Sequence, residues 1–105
     1  MKNCPDHLTD DAKGWWNRLQ TEYGIDDRAG LLLLQTAMEA FDRMRDAQAA
    51  ISKDGLTVED RFGQLKNHPA TTVERDARTQ LLSALKALNL DLEPLNDAPG
   101  RPPEV

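Results

Sequence analysis

From about Asp27 to about Lys53 the chain runs without a proline, and Gly30, Leu33, Leu34, Ala37, Met38, Phe41, Met44, Gln48 and Ile51 fall on one broad stripe of helical period. At about 1.5 Å per residue this predicts a helix roughly 40 Å long. A compact chain of 100 residues has a radius of gyration of about 13 Å, hence a diameter of roughly 34 Å. A helix as long as the whole expected domain either protrudes or finds its neighbours in other copies of the chain.

The remaining elements are read around this helix. Thr9 is a capping residue followed by Asp10 and Asp11, which suit the positive end of a helix dipole. Ala12, Trp15, Trp16, Leu19 and Tyr23 then follow helical spacing up to Gly24, a natural stop. Asp26 or Asp27 caps the long second helix, and Gly55 ends it. Leu56 to Asp60 has β-branched, alternating character, Arg61-Phe62-Gly63 reads as a turn, and Gln64-Leu65-Lys66 completes a short hairpin. A two-stranded hairpin is marginal alone, so it is expected to lie on a helix or on another subunit. A third helix is expected from Pro69, with His68 as its cap, to about Leu88, with Asn89 beyond it. Its apolar face is Ala70, Val73, Ala77, Leu81, Ala84, Leu85 and Leu88. The fold class is therefore mainly α: three principal helices, one of them long, a hairpin between the second and third, and an acidic, proline-rich tail. The expected organisation is a flexible arm over residues 1–8, a helical domain over 9–90 and the tail over 91–105.

Charge sorts the possible partners. The net charge is -5, whereas a dedicated DNA binder is usually basic, because neutralising phosphates dominates its affinity. The distribution is uneven. Residues 1–42 carry four basic and eight acidic side chains, residues 43–86 eight and six, and residues 87–105 one and four. An anionic partner is expected to meet the middle of the chain. On the third helix Arg78, Arg75 and Lys86 lie at about 140°, 200° and 220° from Val73, on the side away from the core stripe and with Leu82 among them. The competing reading is a solvated face on which Glu74 pairs with Arg78.

Catalysis finds little material. No G-x-x-x-x-G-K-[ST] loop occurs, which excludes a P-loop ATPase. His7 and His68 lie far apart, Cys4 stands alone, and no cluster has metal-ligand spacing, so no catalytic residue, metal or cofactor is expected. Asp10/Asp11 and Asp26/Asp27 are explained by helix starts. A lone cysteine with no secretory signal before it suggests a reducing cytoplasm. The longest apolar run, Leu31 to Leu34, is far too short to span a bilayer, so no membrane association is expected. A helix-turn-helix would make Asp26-Asp27-Arg28-Ala29-Gly30-Leu31-Leu32 the leading end of a recognition helix. That end is acidic and then aliphatic, where base-reading helices present polar or basic side chains. Trp15 and Trp16 could stack on bases, but Trp15 shares a helical face with Ala12, Leu19 and Tyr23, which favours core or subunit contact. Leu32 points away from the core stripe. Either it marks a second buried surface, or the first helix covers it.

From about Leu8 to Asp91 the order of pieces resembles the phage terminase small subunits. The pieces are Asp11-Ala12-Lys13-Gly14-Trp15-Trp16, Tyr23-Gly24-Ile25, Asp27 to Leu34, Phe41-Asp42-Arg43, Gly55-Leu56-Thr57-Val58, Arg61-Phe62-Gly63, Asn67-His68-Pro69-Ala70, Glu74 to Ala77, and Leu85 to Leu90. The resemblance implies a non-enzymatic protein that assembles into rings, recognises the packaging site on viral double-stranded DNA and regulates a large subunit holding ATPase and nuclease activities, in the host bacterial cytoplasm. Many relatives begin with a longer basic arm, whereas here only Lys2 is basic before the first helix. The candidate DNA contacts are therefore the basic residues of the middle: Arg43, Arg45, Arg61, Lys66, Arg75, Arg78 and Lys86. The candidate subunit contacts are Trp15, Trp16, Leu31, Leu32, Phe41 and Leu82. Two alternatives remain: an adaptor of the same machine that binds protein alone, favoured by the acidic total, and a small transcriptional regulator, disfavoured by the poor helix-turn-helix.

Overall fold

Thr9 begins the first helix, α1 (Asp10–Tyr23), by two sets of bonds. Its hydroxyl accepts from the Ala12 N–H at 3.2 Å and donates to Asp42 of the second helix, and its own N–H donates to the same carboxylate at 3.0 Å. One side chain of the long helix thus fixes where α1 starts. At the other end Gly24 adopts φ 61°, a left-handed conformation that a side chain would strain. Buried Gln20 holds the turn that follows. Its backbone carbonyl accepts from Ile25, and its side-chain amide donates to the Ile25 carbonyl at 3.1 Å.

The long helix, α2 (Arg28–Asp54), is capped by Asp27, whose carboxylate accepts from the Gly30 N–H at 3.0 Å. Gly30 leaves room for that cap: a Cβ there would stand 2.7 Å from the Asp27 oxygen. The hairpin strands β1 (Thr57–Glu59) and β2 (Leu65–Asn67) pair antiparallel, Val58 opposite Lys66. Helix α3 (Ala70–Ala87) follows. Pro69 already has helical dihedrals, and the His68 Nδ1 accepts from the Ala70 N–H at 3.0 Å, so His68 is the functional cap. With Nδ1 accepting, the ring proton sits on Nε2 and donates to Asp54 at 2.9 Å, joining the end of α2 to the start of α3. Asn89, at φ 57°, supplies the left-handed exit.

The computed structural model describes residues 4–90, so the expected tail lies outside the described residues. α2 and α3 form an antiparallel pair, and α1 packs across the N-terminal half of α2. The core gathers at that three-helix end: Leu8, Ala12, Trp16, Ile25, Leu34, Ala37, Met38 and Ala84. At the other end only two helices meet, over buried Ala47 and Ala77, with Gln48 donating to Glu74 across the pair at 3.0 Å. The radius of gyration is 17.4 Å and the extents are 52 × 45 × 19 Å, so the molecule is flat, with two long dimensions and one thin one.

Several expectations need correction. Residues 4–8 are not a free arm: Leu8 is buried in the core and Cys4 packs beside it, because Asp42 draws the start of α1 onto α2. Trp16, 3 % exposed, is the core aromatic of α1, while Trp15 is 44 % exposed. Ala40 and Ala47 are buried although they lie off the expected stripe, since α3 covers a second side of α2. Val73 is exposed because α1 does not extend to that end of the pair. The hairpin strands pack on each other without extended packing on any helix.

Trp16→Ala is expected to destabilise the fold by about 3–5 kcal/mol through cavity formation. Thr9→Ala, which removes the cap and the hydroxyl bond to Asp42, should cost about 1–2 kcal/mol. Urea unfolding followed by helical circular dichroism measures both; equal losses from the two variants would contradict this division of the core.

Candidate nucleic-acid interface

The seven basic candidates do not form one patch. Arg43 and Arg45 leave α2 about 200° apart. Arg43 lies in a hollow with His7, Leu8, Thr9, Glu39, Asp42 and Asp46, an acidic setting that repels phosphate. The Glu39 carboxyl is held below its ordinary range, first by the hydrogen bond from Gln35 at 3.1 Å, then by its bond with His7 at 2.7 Å, against a small opposing effect of burial. The hollow therefore keeps this negative charge to lower pH than an isolated glutamate would.

Arg45 lies 5.4 Å from the Phe41 ring centroid and donates to Gln48 at 3.1 Å. Arg61 stacks on Phe62 at 5.2 Å on the hairpin, and Lys66 stands on the strand face of Val58. Arg75, Arg78 and Lys86 share the outer side of α3 with exposed Leu82. Arg78 is tied to Glu74 at 2.7 Å, the expected i,i+4 pair, and Arg75 touches Asp76 at 3.5 Å. Surface pairs of this kind contribute only about 0–1 kcal/mol, so a phosphate can compete for either guanidinium. This α3 face has the best claim among the seven.

The six subunit-contact candidates also divide. Trp16 is consumed by the core; Leu31 and Phe41 are half-buried against it. Trp15, Leu32 at 64 % exposure and Leu82 at 59 % are on the surface, and α1 does not cover Leu32. Trp15 and Phe41 line an apolar groove of about 280 Å³ with Leu19, Met38, Leu81 and Leu85. Sequence reasoning missed Arg18, which stacks on Trp15 at 5.2 Å beside this groove, although their i,i+3 spacing places both on one side of α1. It also missed Asp42, whose partners are distant in sequence.

Two further observations narrow the chemistry. The first turn of α2 faces the end of α3, around Ala87 to Leu90, which is a poor placement for a groove-reading helix. Among the described residues no three His, Cys, Asp or Glu side chains are arranged to hold a metal ion, and no helix is long and apolar enough to cross a membrane.

Glu39→Gln should lower stability at neutral pH. The folded carboxyl has a depressed pKa, so its contribution is complete above the ordinary glutamate range and disappears as pH falls through the lowered value. The difference between wild type and variant should therefore shrink on acidification, as followed by urea unfolding at several pH values. A difference constant down to pH about 2 would remove Glu39 as its source.

Comparison with known proteins adds one finding: the model of a family described as phage terminase, small subunit, matches residues 12–94. No curated protein and no solved structure matches. The match covers most of the chain, which belongs to the phage terminase small subunit family.

Proposed function

From that membership we propose that the chain recognises viral double-stranded DNA at the packaging site, and regulates the large ATPase and nuclease subunit during genome packaging. It does so in the host bacterial cytoplasm, as a homo-oligomeric ring without catalytic residues of its own. The observation that carries the DNA reading is the outer face of α3, where Arg75, Arg78 and Lys86 are exposed around Leu82, while Arg43 shares its hollow with Glu39, Asp42 and Asp46. The flat, extended shape and the exposed apolar side chains support assembly.

A single subunit with net charge -5 offers few phosphate contacts. Arrayed around an axis, one modest basic face repeats, and linked weak contacts gain through effective concentration. Affinity should then depend on assembly and fall steeply with salt. A second reading, an adaptor that contacts only protein, is favoured by the acidic hollow at Glu39, Asp42 and Asp46. It predicts no DNA binding at any salt.

The test is binding to packaging-site DNA at low and moderate salt, with light scattering on the same samples. Arg75→Glu with Arg78→Glu should leave the oligomer intact, weaken binding by about tenfold or more and flatten the salt dependence. Arg43→Ala should change affinity by less than about twofold, since its phosphate contact is already opposed. Unchanged binding in the α3 variant would return that face to solvent and leave the DNA contact to other residues or to the large subunit.

A further inference from the structure

The hairpin projects, and among the described residues no helix packs extensively against it. The Asp60 Oδ1 accepts from the N–H groups of Phe62 at 2.8 Å and Gln64 at 3.0 Å, the Asp60 N–H donates to the Gln64 carbonyl, and Gly63 turns at φ 80°. This backbone is organised around a tip whose apolar side chains are bare: Phe62 is 75 % exposed and Leu65 71 %. Two strands of three residues are marginal without a surface to cover them. Toward the three-helix end of the molecule Trp15, Leu19, Met38, Phe41, Leu81 and Leu85, with Leu90 at its border, line an apolar hollow that no other element among the described residues covers.

We propose that the hairpin tip of one subunit, Phe62 with Leu65, seats in this groove on a second copy of the chain. The inference rests on the assembly reading above and supplies its contact. Charge agrees with the fit. The tip carries Glu59, opposite Leu65 on its strand face, and Asp60 against the single Arg61 that stacks on Phe62, a balance of one negative charge, while Arg18 and Arg45 stack on Trp15 and Phe41 at the groove. Lys66, on the other strand face, turns away from the contact. Phe41 and Gly55 are about 20 Å apart along α2, so knob and groove are different patches on different parts of the subunit. Such a contact is heterologous: it propagates head to tail and closes only as a ring. A preformed aromatic knob entering an apolar pocket is also the arrangement that concentrates binding energy in few residues.

The experiment uses the full chain at micromolar concentration, with mass by light scattering and helix content by circular dichroism. Phe62→Asp and Trp15→Asp should each keep the helical spectrum and run as single subunits where the wild type assembles. Mixed one to one, they should form a pair that grows no further, because the mixture holds one intact knob and one intact groove. Arg18→Glu should weaken assembly by about tenfold, and adding Glu59→Arg should restore it; this arm holds even if Trp15→Asp loses helix. A Phe62→Asp protein of wild-type mass overturns the docking and leaves the ring standing. A monomeric wild type removes the ring itself. Failure of the two variants to pair overturns the docking. So does loss of assembly on changing Leu92 and Leu95 to Asp while the hairpin variant still assembles, which would give the groove to residues 91–105.

Discussion

The antiparallel contact of α2 with α3 is the constraint on which the other elements depend. It is made by small side chains, Ala37, Ala40, Ala47, Ala77 and Ala84, all buried, so the two backbones can approach closely along most of their length. Alanines bring little apolar area of their own. The bulk is supplied at one end, where α1 lays Trp16 over Leu34 and Met38. Gln48 and Glu74 set the register at the other end, and His68 joins the two helices where the hairpin leaves them. α1 is placed by α2 in turn, through Asp42.

Much of this was legible in the residues, and the parts that were not share a cause. Thr9, Gly24, Asp27, Gly55, His68 and Asn89 mark element ends by local chemistry, and each stands where its backbone role requires. Periodicity found the stripe of α2 but not its full width. A helix flanked on two sides buries residues such as Ala40 that a single stripe leaves out. Adjacent tryptophans posed the same problem: spacing put both on an apolar side, and only the position of α2 decided that Trp16 goes in and Trp15 stays at the edge. Leu8 looked like arm because the bonds that pull it inward come from Asp42, more than thirty residues away.

The candidate site was less legible, because a charge count says which segment is basic and not what each cation faces. Arg43 and Arg75 look alike in the sequence. In the fold one shares a hollow with three carboxylates and the other stands on an exposed helix face beside a single one, Asp76. Arg18 and Arg45, which a search for phosphate contacts treats as further positive charges, lie instead against aromatic rings. There their planar heads extend an apolar surface as much as they charge it.

The uneven loading of α2 carries a dynamic consequence. Its N-terminal half is clamped between two helices around large side chains, whereas its last turns meet the start of α3 over small side chains and through the Gln48–Glu74 and Asp54–His68 hydrogen bonds. Amide protons along one continuous helix are therefore expected to differ in protection, those near Leu34 and Met38 exchanging more slowly than those beyond Gln48. A subunit built this way is stiff where its core lies and yielding where it reaches out. The yielding end can adjust its angle without disturbing the stiff one, so one sequence can meet neighbours of slightly different orientation.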